Sequence, residues 1–202
     1  SCPATPGQES KAPFVIPLAM GLLGDAGNLP LRLAGEAPDT ETPDNTHRVL
    51  QIDRPQHTFV FEGVPERPVP SLLRGFSAPV RLDYDYSAES LRALMSRDDD
   101  GFVRWDSAQA LATRVITGVE EDLRREASPT VDALLLEACS DLLEDESLDP
   151  AMVAEMLSLP GENYLAELSE ATGLPCIDPL IDGCGSIVAH IKREFPTRPG
   201  ET

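Results

Sequence analysis

The chain has 202 residues, of which 41% are hydrophobic and 25% are charged, a composition typical of a soluble globular protein. No apolar run reaches the roughly 18 residues that a membrane-spanning helix needs, and no signal-peptide pattern is present, so we expect no membrane partner. The net charge of −19 is concentrated in residues 106–202, which hold 20 acidic and 6 basic side chains. This charge disfavours nucleic acid as a partner and favours a solvated acidic surface, with attraction of cationic partners as the second interpretation.

The four cysteines, Cys2, Cys139, Cys176 and Cys184, show no C-x-x-C spacing. In a chain of this length the pattern predicts reduced, buried thiols and a cytoplasmic location. Whether Cys176 and Cys184 lie near each other stays open.

The first half of the chain alternates short apolar runs with turns. The predicted strands are 14–23, 29–33, 49–52, 57–62 and 80–86. Pro17 restricts the first of them to an edge or bulged strand. The last alternates strictly between apolar and polar residues, and the proline-punctuated segment 68–79 before it excludes helix. These strands predict a small Ig-like β-sandwich.

Helical periodicity begins after Ser87, which we predict to be the N-cap of a short junction helix near 88–97, with Glu89 in its first turn. The run Asp98-Asp99-Asp100-Gly101 ends this helix. It lacks the alternating oxygen ligands and distal Glu of a calcium loop, so we interpret it as a solvated turn.

A long helix is predicted from Asp106, with Gln109 at the capping-box position. Later helix starts are indicated by a capping residue followed by proline, at Ser128-Pro129, Asp149-Pro150 and Asp178-Pro179. Another short helix is expected over 162–172. Successive amphipathic helices with short connections predict an α-solenoid. We therefore expect a β-sandwich domain over 1–105, including the junction helix, and a truncated helical superhelix over 106–202.

A search for catalytic or binding motifs finds none. There is no H-E-x-x-H zinc motif, phosphate loop, dinucleotide fingerprint or nucleophile elbow. Cys184 and His190 fall on different faces of one helix, and the carboxylate groups 83–85 and 120–122 are expected to be solvated. The segment 102–106 is interpreted as a packed interdomain anchor, with a binding platform as the alternative.

Several ordered blocks carry a family resemblance. Residues 68–80, PVPSLLRGFSAPV, and 102–109, FVRWDSAQ, resemble the middle of bacterial-type aminopeptidase N, the zinc gluzincin alanyl aminopeptidases. The blocks 5–8, 11–18, 148–151, 157–160 and 166–168 resemble the same family and occur in the same order. The match covers most of residues 2–170 and weakens after about residue 176.

The resemblance implies a β-sandwich followed by the start of the C-terminal helical superhelix. In such enzymes zinc polarises the scissile carbonyl and activates water, releasing N-terminal amino acids from peptides. The resemblance carries no catalytic, cofactor-binding or metal-binding residue onto this chain, so zinc is expected in the parent enzyme only. It implies structural or interdomain roles for Pro70, Arg74, Phe76, Ser77, Ala78, Pro79, Arg104, Trp105 and Gln109. The expected partners are the catalytic domain of the parent chain and, through it, peptide substrates.

Two hypotheses follow. The first is a non-catalytic fragment of a zinc aminopeptidase whose helical lid limits substrate access, with self-association through apolar faces that lack their neighbours. The alternative is a free-standing interaction module with no enzymatic parent. An H-E-x-x-H motif with a downstream Glu in the reading frame before Ser1 discriminates the first from the second.

Overall fold

The computed structural model describes residues 5–7, 11–37, 45–128, 131–161 and 163–165. These residues divide between two compact units, which we name the sheet unit and the helical unit. The sheet unit lies within residues 1–84 and 98–103, and the helical unit within 85–97 and 104–202. The predicted division at residue 105 assigns residues 85–97 and 104–105 to the β-sandwich domain, whereas the two compact units place them in the helical unit. The two units alternate along the chain.

The sheet unit is built around one long strand, to which three shorter strands pair in antiparallel fashion. The strands are β1 Ile16–Leu23, β2 Asn28–Leu29, β3 Arg48–Ile52 and β4 Val69–Leu72. Met20 of β1 lies opposite Arg48 in β3 and opposite Leu72 in β4, so these two strands flank β1 on its two sides. The predicted strands at 14–23 and 49–52 are confirmed within a few residues.

Proline 17 is accommodated because β1 lacks a strand on one side at that point. The Ala19 amide donates to the Ser77 Oγ at 3.0 Å, on the side that β4 occupies further along. Amide groups two residues apart face the same side of a strand, so the Pro17 nitrogen also faces this side, beyond the end of β4. No ladder hydrogen bond is lost there, as the edge-strand prediction required.

Two strand predictions fail, and of the predicted strand 29–33 only Leu29 lies in a strand, β2, while Leu33 forms an isolated bridge. The segment 57–62 contributes only a single bridge, between Leu33 and Phe61. Residues 80–86 form no strand, and Tyr84 is 50% exposed, although Val80, Leu82 and Tyr86 are half-buried. An extended segment lying on a surface produces the same alternation without a hydrogen-bonded neighbour. The strand instead forms within the proline-rich approach, as β4.

The helical unit contains most of the α-structure. The helices are α1 Ala88–Arg97, α2 Gly101–Arg124, α3 Ala133–Glu144 and α4 Pro150–Leu157. The Ser90 amide donates to the Ser87 Oγ at 3.2 Å, which confirms Ser87 as a cap. Asp149 accepts from the Ala151 amide at 2.8 Å, and Pro150 occupies the first turn as predicted. These caps satisfy amides that have no partner within their own helix.

Other predicted helix starts need correction. Helix α2 begins at Gly101, and the Asp100 carboxylate accepts from the Val103 amide at 3.0 Å, so Asp106 lies inside the helix. Helix α3 begins at Ala133, where Asp132 is the cap. Pro129 and the predicted start at Asp178-Pro179 lie outside the described residues. Of the predicted helix 162–172, residues 163–165 are described and helical.

A continuous apolar core holds the helical unit together. Helix α2 is amphipathic, as predicted for the helices of this part of the chain, because Leu111, Ile116 and Val119 are fully buried on one face. They pack with Ala138 and Leu142 of α3, which are also inaccessible to solvent. A buried leucine or isoleucine contributes about 1.5–3 kcal/mol relative to an exposed one. The sheet unit has its own smaller core around Met20, Leu22, Leu31 and Leu50.

Candidate functional site

The most unusual feature of the described residues is a buried arginine in the sheet unit. Arg74 follows β4 in a short 3-10 turn and is only 3% exposed. Its Nε donates to the Ser71 Oγ at 2.7 Å, and its Nη2 donates to the Asn28 Oδ1 at 3.0 Å. A buried guanidinium is costly unless its charge is paired and its N–H groups are hydrogen-bonded.

The negative charge comes from the turn between α1 and α2. The Arg74 Nη2 lies 3.3 Å from the Asp98 Oδ1 and 3.0 Å from the Asp99 Oδ1. Asp98 is 1% exposed, whereas more than half of the Asp99 side chain is accessible. We call Asn28, Ser71, Arg74, Asp98 and Asp99 the Arg74 cluster.

Strand β1 provides the space for the guanidinium. A Cβ placed on Gly21 would lie 2.4 Å from the Arg74 Cζ and 2.5 Å from its Nη2, far inside van der Waals contact. The guanidinium therefore lies directly on the backbone of β1, and a side chain at position 21 would displace it. Residues from β1, β2, β4 and the α1–α2 turn thus converge on one cation.

The environment of Asp98 is set by burial. Burial raises the pKa of the Asp98 carboxyl, while the Ser71 hydroxyl, the Asp100 amide and the Arg74 guanidinium act in the opposite direction. The nearby Asp99 carboxylate raises it further. Desolvation is the largest effect, as expected for a carboxyl with almost no contact with water.

The backbone around Arg74 adopts a rare conformation. Leu73, Gly75 and Phe76 have φ angles of 59°, 58° and 51°, in the left-handed region. For Leu73 and Phe76 this conformation carries a cost of order 1–3 kcal/mol each. Phe76 is 51% exposed, and its ring centroid lies 5.2 Å from that of Phe102. The turn is therefore strained in a way that the surrounding contacts must offset.

The next three predicted residues line a shallow apolar groove. The Ser77 hydroxyl accepts a hydrogen bond from the Ala19 amide of β1, Ala78 is buried and Pro79 is exposed. Together with Val80 and residues 14–17 they surround a cavity of about 340 Å³. Phe14 and Val15 are 60% and 64% exposed at its rim. Pro70 lies opposite Leu22 in the β1–β4 ladder, so its part in the structure is strand pairing.

Arg104, Trp105 and Gln109 lie in the helical unit. The Arg104 Nε donates to the Met95 carbonyl and its Nη2 to the Ser96 carbonyl, both at 2.9 Å, so Arg104 caps the carboxyl end of α1. Trp105 is 38% exposed. The Gln109 Nε2 donates to the Ser158 carbonyl at 2.9 Å, a tertiary contact in place of the predicted capping box. The assignment of the nine residues as structural or interdomain stays a prediction.

The sequence did not identify the partners of Arg74. Asp98 was expected in a solvated turn and is buried, and Glu120, expected on a solvated face, is 2% exposed and paired with Arg124. Gly21 and Asn28 carry no local signal, because each matters only through Arg74, which is distant in sequence. Ser71 lies three residues before Arg74, but no sequence pattern marks their hydrogen bond. An aspartate run beside a helix start was the one available hint, since Asp100 caps α2.

Metal-ligating side chains do not converge within the described part of the chain. No group of three His, Cys, Asp or Glu side chains there is arranged to hold a metal ion. His57 contacts the Asp53 carboxylate at 3.0 Å and stacks on Phe59, so only two side chains that can ligate a metal, His57 and Asp53, meet there. These residues do not fit a zinc site. Among the described helices, none has the length and apolarity to cross a bilayer.

Comparison with protein families divides the chain in two. Residues 1–85 match a domain of unknown function with an Ig-like fold, DUF3458, and residues 88–187 match its C-terminal companion of ARM repeats, DUF3458_C. The boundary between the two matches coincides with the start of α1, where the described structure passes from sheet to helix.

Similar proteins include aminopeptidase N of Escherichia coli, 39% identical over 181 residues, and that of Haemophilus influenzae, 34% identical over 200 residues. These alignments cover 88% and 96% of this chain but 19% and 21% of the relatives. A solved structure of Legionella pneumophila aminopeptidase A in complex with aspartic acid aligns with a TM-score of 0.68 at 28% identity. That alignment covers 91% of this chain and 19% of the other. The chain thus spans about a fifth of the proteins it matches, and it belongs to the aminopeptidase N family, of which it carries the Ig-like domain followed by ARM-repeat helices.

Proposed function

We propose that this chain is the non-catalytic Ig-like and helical part of a zinc-dependent aminopeptidase that releases N-terminal amino acids from peptides. The observation that carries the proposal is the similarity to aminopeptidase N over both domains, at 34–39% identity and over 88–96% of the chain. Function follows the site rather than the fold, and the chain spans only a fifth of those relatives. Activity and substrate therefore belong to the parent enzyme in this proposal.

In the proposed arrangement, the helical unit acts as a lid on the catalytic domain of the parent and restricts access to short, unfolded peptides. Two properties support this role. The described helices share one apolar core, which suits an element that must present a fixed surface. The described residues also show no converging set of catalytic metal ligands, so their contribution would be to position and to exclude rather than to react.

Zinc would be bound by residues of the catalytic domain. The only histidines within the described residues, His47 and His57, lie in the sheet unit, and neither belongs to a group of three metal-ligating side chains. No chemical step is therefore assigned to residues of this chain.

The test uses the purified 202-residue chain. We expect no release of p-nitroaniline from alanyl-p-nitroanilide above the buffer rate, with or without added zinc, and no stoichiometric zinc by metal analysis after dialysis. The matched control is the product of the whole reading frame, assayed under the same conditions, which should hydrolyse the substrate and lose activity to a chelator. Zinc-dependent turnover by the 202-residue chain would contradict the non-catalytic role. A whole reading frame without an H-E-x-x-H motif would instead favour a free-standing interaction module.

A further inference from the structure

We propose that Arg74, through its ion pairs with Asp98 and Asp99, makes the α1–α2 turn an integral part of the Ig-like domain. In this inference the domain is incomplete at residue 85, where the match to the Ig-like family ends, and residues 98–103 are needed to close it. The inference concerns the fold of this chain and does not depend on the proposed enzymatic parent.

The charge balance of the sheet unit is the first argument. The two partners that residues 1–85 supply to Arg74 in the cluster, Ser71 and Asn28, are neutral. The two carboxylates at the guanidinium, Asp98 and Asp99, come from the turn. Removing the counter-charge from a buried cation leaves an uncompensated charge, which is strongly destabilising. Residues 1–85 alone would therefore hold Arg74 in a site that disfavours it.

The strained backbone is the second argument. Arg74 lies between left-handed residues, Leu73 and Gly75, and the Leu73 side chain is 4% exposed. A strained turn persists only where the surrounding structure holds it in place. The Arg74 side chain contacts β1, β2, β4 and the α1–α2 turn from this position, so the cluster offsets the strain.

The turn is held by its own hydrogen bonds and by the start of α2. The Asp98 carboxylate accepts from the Asp100 amide at 2.8 Å, and the Asp100 carboxylate caps α2 through the Val103 amide. Asp98 and Asp99 thus neutralise Arg74, and Asp100, the next residue, caps the start of α2. Opening the cluster should free the segment 98–103 and relax the segment 69–76 together, as one cooperative unit.

Hydrogen exchange measured by mass spectrometry on the 202-residue chain tests this coupling. In Asp98→Asn we expect about tenfold faster exchange, or more, in both segments 69–76 and 98–103, because each has lost the partner that held it. The matched control is Arg32→Ala, which removes the exposed Arg32–Glu62 pair of the same unit and should leave both segments within about twofold of the parent.

If Asp98→Asn does not fold, the milder variant Asp99→Asn tests the same coupling. Asp99→Asn removes the exposed carboxylate of the cluster and should accelerate both segments by a smaller and similar factor. Faster exchange confined to 98–103, with 69–76 unchanged in either variant, would overturn the proposal. So would equal acceleration of both segments in the Arg32→Ala control.

Discussion

Replacing Gly21 by alanine places one methyl group against the buried guanidinium of Arg74. The added Cβ would lie 2.4 Å from Cζ, 2.5 Å from Nη2 and 2.8 Å from Nε, where ordinary contact begins at 3.4 Å. The guanidinium must therefore move by about 1 Å. A guanidinium is the mobile end of a long side chain, but here it is held by the Arg74 cluster.

The size of the effect follows from what that movement breaks. Arg74 donates to Ser71 at 2.7 Å and to Asn28 at 3.0 Å, and it lies 3.3 Å from Asp98. A shift of about 1 Å takes most of these contacts beyond hydrogen-bonding distance, and a broken buried ion pair costs about 3–5 kcal/mol. We expect Gly21→Ala to lower the free energy of unfolding of the sheet unit by this amount. Urea denaturation followed by circular dichroism, with hydrogen exchange of β1 to locate the loss, measures it.

A double-mutant cycle separates the clash from a general effect of alanine in a strand. In an Arg74→Ala background the obstructing group is gone, so adding Gly21→Ala should cost less than about 0.5 kcal/mol. It could even stabilise that background, since alanine loses less backbone entropy than glycine on folding. An equal loss of stability in both backgrounds would refute the placement of the guanidinium over β1.

Two further predictions concern the helical unit. Gly118 lies on the exposed face of α2, and a Cβ added there would meet no other atom within 4 Å. Gly118→Ala should therefore raise the free energy of unfolding by about 0.5–1 kcal/mol, measured by urea denaturation with Trp105 fluorescence. A loss of stability would contradict the helical geometry at this position. Burial raises the pKa of the Cys139 thiol to about 11, so the folded state binds more protons than the unfolded state between pH 9 and 11. The free energy of unfolding should therefore be independent of this thiol below pH 9 and should fall as the pH rises from 9 to 11. Alkylation at pH 8, mapped by peptide mass spectrometry, should leave Cys139 unmodified in the folded chain and modify it in urea, whereas rapid modification of the folded chain would show that the thiol is accessible.

Local patterns predicted the helices well because the information lies within a few residues. Ser87 and Asp149 accept hydrogen bonds from amides at most three residues away, and the buried face of α2 repeats at helical spacing. Errors arose where two local signals competed. Asp106 resembles a cap and is followed by a suitable Gln109, but Asp100 lies earlier, and the helix extends to it.

The strands were harder to place because alternation does not reveal a pairing partner. Residues 80–86 alternate and form no strand, whereas β4 contains Pro70 and pairs with β1. A proline is acceptable in β4 since its missing amide faces away from the ladder, and that orientation depends on which strand lies alongside. Register between distant segments is a tertiary property.

The amino-acid sequence by itself determined the order of architectures, sheet first and helices after, together with the caps Ser87 and Asp149, the amphipathic character of the helices and the likeness to aminopeptidase N. Tertiary structure alone decided that Arg74 is buried, that its guanidinium lies against Gly21, and that the aspartates after α1 belong with the sheet unit. The physical reason is separation along the chain. A cap or a stripe depends on neighbours within one or two turns, whereas the Arg74 cluster brings together residues 21, 28, 71, 74 and 98, whose proximity exists only once the sheet has formed.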